Sequence, residues 1–417
     1  MGYLKTTLSI LLENTLPYLL TGAPVPRACL HHVPEAFTVL VRCMAWDAAP
    51  IYFSGNDWKL THTQATDAMS YSLLSLLLQD RQAAYLEQVG LDYLLRIQKQ
   101  EHGYYNVRRD LESSGNCATR LIAAYLAHAV LGEGAAPLSR AEFDRSITGT
   151  CYLPQGRTIL HRTPSKFASF TWSQKRMALT FPQDGNWILW PHFSSGPGLI
   201  NGQDASSRYA TLRGFTQQAT SNSFTASGVL DRHKGAVQQA FFFTSLPGDL
   251  TVYIERLQTK KDFTLRSRET GVIGLEYEFG KNQHTLFGQH GTLTTVGVGG
   301  DQPRVLELAT DWLNISDRIG YVIRRYPATE NVVRFHDEIA GSGRTPKLEE
   351  WLSLIGERQA GTAHPDSDWA CLITFVNQDH AQTARQADQV QFSVTGDTAT
   401  CRIGDQEIRA TLSFRSD

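Results

Sequence analysis

The sequence predicts an α+β multidomain protein, with a helical domain followed by a large antiparallel β-sandwich and a small terminal β-sheet. Three observations carry this. Apolar residues recur at helical spacing through the first 150 positions. Period-two alternation takes over after a stretch punctuated by Pro and Gly. The tail divides into three short alternating runs joined by Gly-Asp turns. At 417 residues the chain exceeds what one compact core organises. The changes of texture set domain boundaries at 1–150, 151–360 and 361–417.

At the amino terminus Leu4, Leu8, Leu11, Leu12, Leu16, Leu19 and Leu20 form the stripe of an amphipathic helix. Glu13 and Asn14 interrupt the apolar run before a signal-peptide cleavage site could follow. The chain opens abruptly inside this pattern, as a truncated gene product would. Further helices are predicted over Glu35–Trp46, Ala65–Leu78, Ala83–Gln98 and Ala118–Leu131. In Ala83–Gln98 the residues Leu86, Val89, Leu94, Leu95 and Ile97 make a broad apolar face that must bury against neighbouring helices. The last two helices are separated by Lys99–Asn116, a connection of roughly eighteen residues, and loops of that length are disproportionately functional.

Strands are predicted over Lys166–Trp172, Arg176–Phe181, Val237–Thr244, Leu250–Gln258, Gly271–Phe279, Arg304–Ala309 and Ile319–Arg325. In the fourth, Val252 and Ile254 fall on one face and Thr251, Tyr253 and Glu255 on the other, the alternation of an antiparallel sheet with distinct faces. So many strands without intervening helical patterns argue for packed sheets. Gln391–Thr395, Thr398–Ile403 and Glu407–Phe414 form a terminal meander with turns at Gly396-Asp397 and Gly404-Asp405.

Composition narrows the function. Lys plus Arg (39) nearly balances Asp plus Glu (41), so nucleic acid and anionic membrane surfaces are not expected partners. No apolar run reaches the roughly 20 residues that span a bilayer. The six cysteines are scattered without metal-ligand spacing and read as buried thiols. Phosphate-loop, Gly-x-Ser-x-Gly and His-Glu-x-x-His patterns are absent, and no metal is expected.

Three constellations remain. In Asp57-Trp-Lys-Leu-Thr-His62 to Tyr71, nine residues of continuous helix would put His62 and Tyr71 on opposite faces, so they converge only if His62 lies on a loop. Glu101-His-Gly-Tyr-Tyr-Asn-Val-Arg-Arg109 brings Asn106, Arg108 and Arg109 into the long interhelical connection, and Arg forks bind carboxylates bidentately. Leu160-His161-Arg162-Thr-Pro164 stands at the domain junction, followed by Trp172, Trp187 and Trp190. Their rings either stack on sugars or belong to the core.

With these residues the chain resembles polysaccharide lyases of the hyaluronate, chondroitin AC and xanthan lyase type. Asp57, His62 and Tyr71 match that family's motif in order and spacing, His161-Arg162 is similar to its His-Arg pair at the start of the sandwich, and Ala240-Phe-Phe-Phe-Thr with Asp249-Leu-Thr-Val-Tyr-Ile looks like its strand pair. The resemblance implies a partial (α/α) toroid, abridged at its amino terminus, before the sandwich. It also implies a secreted or periplasmic location, although no signal peptide is visible, and no cofactor. The family's paired Arg four residues apart is not reproduced, and its neutralising Asn on an earlier helix has no counterpart.

The implied reaction is β-elimination on a uronic-acid-containing glycan. Removal of the C5 proton requires the carboxylate to be neutralised by fixed donors, a base at C5 and an acid at the bridging oxygen. The resemblance assigns His62 as the catalytic base or a group assisting it and Tyr71 as the acid, with Tyr71 serving as both where the two events share a face. Asn106, Arg108 and Arg109 would hold the carboxylate, Arg162 would line the cleft from the sandwich, and Trp190 would contact the sugar. Two other readings stay open. One is a glycoside hydrolase on a helical toroid, using two of Asp57, Asp67, Asp110 and Glu112. The other is a non-catalytic, glycan-binding remnant of a lyase.

Overall fold

The structure is a computed structural model. It describes residues 2–44, 48, 51, 61–105, 111–173, 176–183, 188–190, 196–197, 199–200, 203–204, 210–232, 235, 237–259, 268–269, 274–277, 283–296, 304–328, 333–340, 347–354 and 368–414. The described residues divide into two compact units, one up to Thr148 and one from Gly149 onward.

The first unit is helical: α1 (Gly2–Glu13), α2 (Leu16–Thr21), a 3-10 turn at Arg27–Leu30, α3 (Val33–Val41), α4 (Thr61–Leu78), α5 (Arg81–Gln100), α6 (Leu111–Leu131) and α7 (Arg140–Ile147). The leucine stripe of the amino terminus is split at Thr15, whose hydroxyl donates to the Leu12 carbonyl at 2.6 Å, with Pro17 in the first turn of α2. Its buried members Leu8, Leu12 and Leu19 join Phe37, Leu73, Leu74, Leu86 and Phe143 in one core. Each such side chain contributes roughly 1.5–3 kcal/mol on burial. Asp80 caps α5 by accepting from the Ala83 amide at 2.9 Å.

Two expectations are corrected here. The connection between the last long helices is not Lys99–Asn116, because α5 continues to Gln100 and α6 begins at Leu111, so Asn116 is helical. The extra turns of α6 form because they pack against α4 and α5, through Cys117 against Ala68 and Leu94, and this tertiary burial overrides the poor propensity of Ser-Ser-Gly-Asn. The second is α7, absent from the expectation, which rests on a reciprocal capping box between Ser139 and Glu142.

The second unit is antiparallel β. β1 (Gly149–Leu153), β2 (Thr158–Arg162), β3 (Lys166–Trp172) and β4 (Arg176–Pro182) pair in sequence as a four-stranded sheet. There follow β5 (Ile188–Trp190), β6 (Gly196–Pro197), β7 (Leu199–Ile200), β8 (Gln203–Asp204), β9 (Thr211–Ala219), β10 (Phe224–Arg232), β11 (Val237–Ser245), β12 (Leu250–Thr259), β13 (Arg268–Glu269) and β14 (Gly274–Tyr277). Next come β15 (Gln283–Gly288), β16 (Gly291–Val296), β17 (Arg304–Leu308), β18 (Trp312–Ile315), β19 (Ile319–Tyr326), β20 (Val333–Ala340), β21 (Lys347–Ser353) and β22 (Asp368–Val376). The chain closes with α8 (His380–Gln389), β23 (Val390–Thr395), β24 (Thr398–Ile403) and β25 (Gln406–Thr411).

The principal sheet has nine strands in the order β16-β15-β18-β19-β22-β12-β11-β10-β9, and β17-β20-β21-β14-β5 form a five-stranded sheet. The alternation expected for β12 is real, yet both of its faces are buried. On one side Phe241 stacks on Phe170 of the four-stranded sheet (centroids 5.1 Å, 22°), and Thr251 bonds Thr180 at 2.9 Å. On the other, Val252, Ile254, Cys371 and Ile373 pack with Ala387 of α8 and with Ala399, Cys401 and Ile408 of the terminal sheet.

The 361–417 segment is therefore not self-contained, because β22 runs through the middle of the nine-stranded sheet between β19 and β12. Only β23-β24-β25 form the small terminal sheet. Gly396 and Gly404 take positive φ (58° and 56°) at its two turns, where a side chain would be strained. The six cysteines are free thiols.

Candidate functional site

Helix direction decides what the helical unit can bring together. Ala68, Leu94 and Cys117 meet at one level of α4, α5 and α6. At a second level Glu87 accepts from Ser72 at 2.6 Å and contacts His128 Nε2 at 2.8 Å. Between the two levels the numbering rises along α4 and α6 and falls along α5. So α4 and α6 run in the same direction, with α5 antiparallel to both, and the first turns of α4 and α6 lie at one end with the last turn of α5. Each helix start carries about half a positive charge from its unsatisfied amides, which favours anions.

At this end Glu101, 4% exposed, caps α5. Gln98 donates to the Tyr105 phenol at 3.1 Å, and the Tyr105 amide donates to Ser114 Oγ at 3.3 Å. Burial, and then the neighbouring Cys117, push the Tyr105 phenol above its usual pKa against the Gln98 bond, so it is a held, protonated hydroxyl. Tyr105 stood in the sequence motif but not among the expected catalytic residues. Its signal was Gln98, seven positions earlier on the last turn of α5.

His62 falls in the first turn of α4, and its side chain lies outside the described residues, as do Asp57, Asn106, Arg108 and Arg109. The loop position that His62 needed to meet Tyr71 is not found. The helix is continuous from Thr61, and nine residues turn through about 900°, setting the two positions on opposite faces. Tyr71 is 1% exposed, donates to Met44 Sδ at 3.2 Å and packs beside Phe37. It is a core residue because its face of α4 is the one that α1 and α3 cover.

At the start of the sandwich, His161 and Arg162 point to opposite faces of β2, and both are buried. His161 Nδ1 lies 2.8 Å from Ser245 Oγ, and burial, then the nearby Lys166 charge, bring its pKa down to about 4. Arg162 is fully buried, donates to Gln183 Oε1 and lies over the Phe167 ring at 5.7 Å. It therefore lines no cleft. Its guanidinium is held inside because Gln183, which in turn donates to the Lys166 carbonyl at 2.8 Å, offers an acceptor there.

Lys166, also fully buried, donates to the carbonyls of Leu246 at 2.6 Å and Leu250 at 2.9 Å, fastening the β11–β12 turn. Burial brings its amine down to about 7, against the pull of Asp249. Trp172 is half-buried between Tyr152 (5.9 Å, 12°) and Phe215 (4.6 Å, 30°). Trp190 ends β5 opposite Gly274, with its side chain outside the described residues, and Trp187 is outside them altogether.

No family model matches the chain, and no curated protein matches it. Among solved structures it is similar to a heparinase III (TM-score 0.46, 8% identity, 93% of this chain and 53% of that one). It is also similar to the heparan sulfate lyase HepC from Pedobacter heparinus (TM-score 0.45, 10% identity, 94% and 55%). A third is the galactosidase domain of an α-galactosidase-sucrose kinase (TM-score 0.38, 10% identity, 57% and 43%). The chain spans about half the length of these lyases. By name these two are a heparinase III and a heparan sulfate lyase, whereas the motifs of the sequence resembled the hyaluronate, chondroitin AC and xanthan lyase type.

Proposed function

We propose that this protein acts on a uronate-containing acidic glycan by β-elimination, at the end of the helical unit where α4 and α6 begin. The observation that carries this reading is the common direction of those two helices. It brings the turn bearing His62 to the same end as Tyr105 and Leu111, the residues that flank the Asn106, Arg108 and Arg109 segment. Two helix starts and two guanidinium groups suit a carboxylate, and neutralising that carboxylate is what makes the C5 proton removable.

In this scheme His62 takes the C5 proton, while Asn106, Arg108 and Arg109 hold the acid group as its negative charge grows. The bridging oxygen needs a proton from an acid at the same end. Tyr71 is excluded by its bond to Met44, and Tyr105 takes its place, because burial keeps its phenol protonated. Arg162, fully buried inside the sandwich, takes no part.

The burial of Tyr71 and Arg162 favours a second reading, a glycan-binding protein without turnover. The side chains a hydrolase would need, Asp57, Asp67, Asp110 and Glu112, lie outside the described ones. The experiment is a panel of uronate glycans, heparan sulfate included, followed by the ultraviolet absorbance of an unsaturated uronate. New absorbance supports elimination. Binding without absorbance or new reducing ends supports the second reading, and new reducing ends alone support hydrolysis.

A further inference from the structure

The outer face of the terminal sheet is a polar grid fixed by strand register. Its rows are Gln391, Arg402 and Glu407; Ser393, Thr400 and Arg409; and Thr395, Thr398 and Thr411. None of these nine side chains is apolar, whereas the alternate positions Ala399, Cys401, Ile403, Ile408 and Ala410 are all buried on the inner face. A protein partner would be expected to find an apolar centre on such a surface, and there is none.

Two guanidinium groups share one carboxylate here. Arg402 Nε donates to Glu407 Oε2 at 2.7 Å and Arg409 Nε donates to Glu407 Oε1 at 2.5 Å. Among the described residues neither Arg uses a terminal Nη in a hydrogen bond. Arg402 and Arg409 stay 57% and 69% exposed. Glu407 thus orients both side chains by their Nε edges and leaves both Nη forks open to solvent, with one net positive charge on the grid. The bonds from Arg402, then Arg409, hold the Glu407 carboxyl below its usual range, so the arrangement persists at neutral pH. An oriented fork gives up less freedom on binding an anion than a free one, and it matches planar oxyanions bidentately. The hydroxyls of Ser393, Thr398 and Thr400 flank the forks at the spacing of neighbouring strands, suited to the hydroxyls of a sugar chain.

We propose that this face binds an acidic glycan segment, with Arg402 and Arg409 each engaging a carboxylate or sulfate and the Ser and Thr grid engaging the sugar hydroxyls. It is a holding surface on the second unit, and it contains none of the residues assigned to elimination.

The test uses the full chain and two probes, a hyaluronan hexasaccharide, which carries carboxylates alone, and a heparin hexasaccharide, which adds sulfates. Titration calorimetry compares the wild type with the double variant Arg402→Gln, Arg409→Gln and with Arg402→Lys, Arg409→Lys. Circular dichroism checks that each variant is folded. The expected result is at least about a tenfold weaker affinity for one or both probes in the Gln variant, with the Lys variant between, since charge without the fork recovers only part. The probe that loses affinity identifies the oxyanion. Equal affinity of all three proteins for both probes overturns the proposal. Turnover of a short oligosaccharide is read in parallel. A lyase that fails to turn over leaves this comparison intact, and loss of turnover with unchanged affinity counts against it.

Discussion

The Lys166 amine donates to the Leu246 carbonyl across 2.6 Å inside the sandwich, with no water-facing surface of its own. This amine titrates at about 7 in the folded protein but near 10.5 when unfolded. Between those values only the unfolded chain holds the proton, so stability rises as pH climbs from about 7 to 10.5. His161 acts in a lower window: folded at about 4 and unfolded near 6.5, it withdraws stability as pH falls from 6.5 towards 4. Urea unfolding followed by Trp fluorescence across both windows should show the two slopes. Lys166→Met should flatten the upper one while costing about 1–3 kcal/mol for the Leu246 carbonyl, since the Leu250 carbonyl still accepts from the Leu246 amide at 3.2 Å.

Tyr71→Phe removes only the hydroxyl that reaches Met44. The expected loss is about 0.5–1.5 kcal/mol of stability with turnover retained. Tyr71→Ala should cost about 3–5 kcal/mol through the cavity it leaves beside Phe37. Chemical denaturation of both variants, read beside their activity, checks this.

Gly320 on β19 has no room for a methyl group. A Cβ there would stand 2.3 Å from Thr383 Oγ1 and 2.8 Å from Thr383 Cγ2. Thr383 is itself held, accepting from Asn314 Nδ2 at 2.8 Å and donating to the Asp379 carbonyl at 2.9 Å. Gly320→Ala should therefore push α8 off the sheet and cost about 1–3 kcal/mol. Hydrogen exchange in α8 should accelerate before exchange in β22.

Arg256 joins the nine-stranded sheet to the end of the chain. It lies 5.0 Å over Trp369 and 4.7 Å over Phe414, pairs with Asp397 at 2.5 Å and donates to the Leu412 carbonyl at 2.7 Å. Arg256→Ala should cost about 2–4 kcal/mol from two charged hydrogen bonds, the one to Asp397 half-exposed and so worth less, and two ring contacts. Limited proteolysis should then cut first within β24 and β25.

These elements differ in how far the sequence disclosed them. The apolar stripe of α5 and the runs of β3, β11, β12 and the terminal meander carried their periods plainly, because each buries a regular face. The helices α7 and α8 escaped because each is short and stabilised chiefly by a capping box, Ser139 with Glu142 and Asp379 with Gln382, without a long stripe. The alternation set Glu255 on the face opposite Val252 and Ile254 without saying what covers that face. Glu255 is fully buried and accepts from Gln239 at 2.8 Å and Tyr253 at 3.2 Å, which only the covering sheet explains. Likewise the order and spacing of His62 and Tyr71 were visible, but their separation depends on where α4 begins, and no cap in the sequence marked Thr61 as its start.

The most direct test of the account is the rate of unsaturated-uronate formation by wild type, His62→Ala, Tyr105→Phe and Tyr71→Phe on one uronate glycan. The account predicts that the first two substitutions abolish the ultraviolet signal and that Tyr71→Phe keeps it near wild type. A wild-type signal that survives His62→Ala, or disappears with Tyr71→Phe in a fully folded protein, would contradict it.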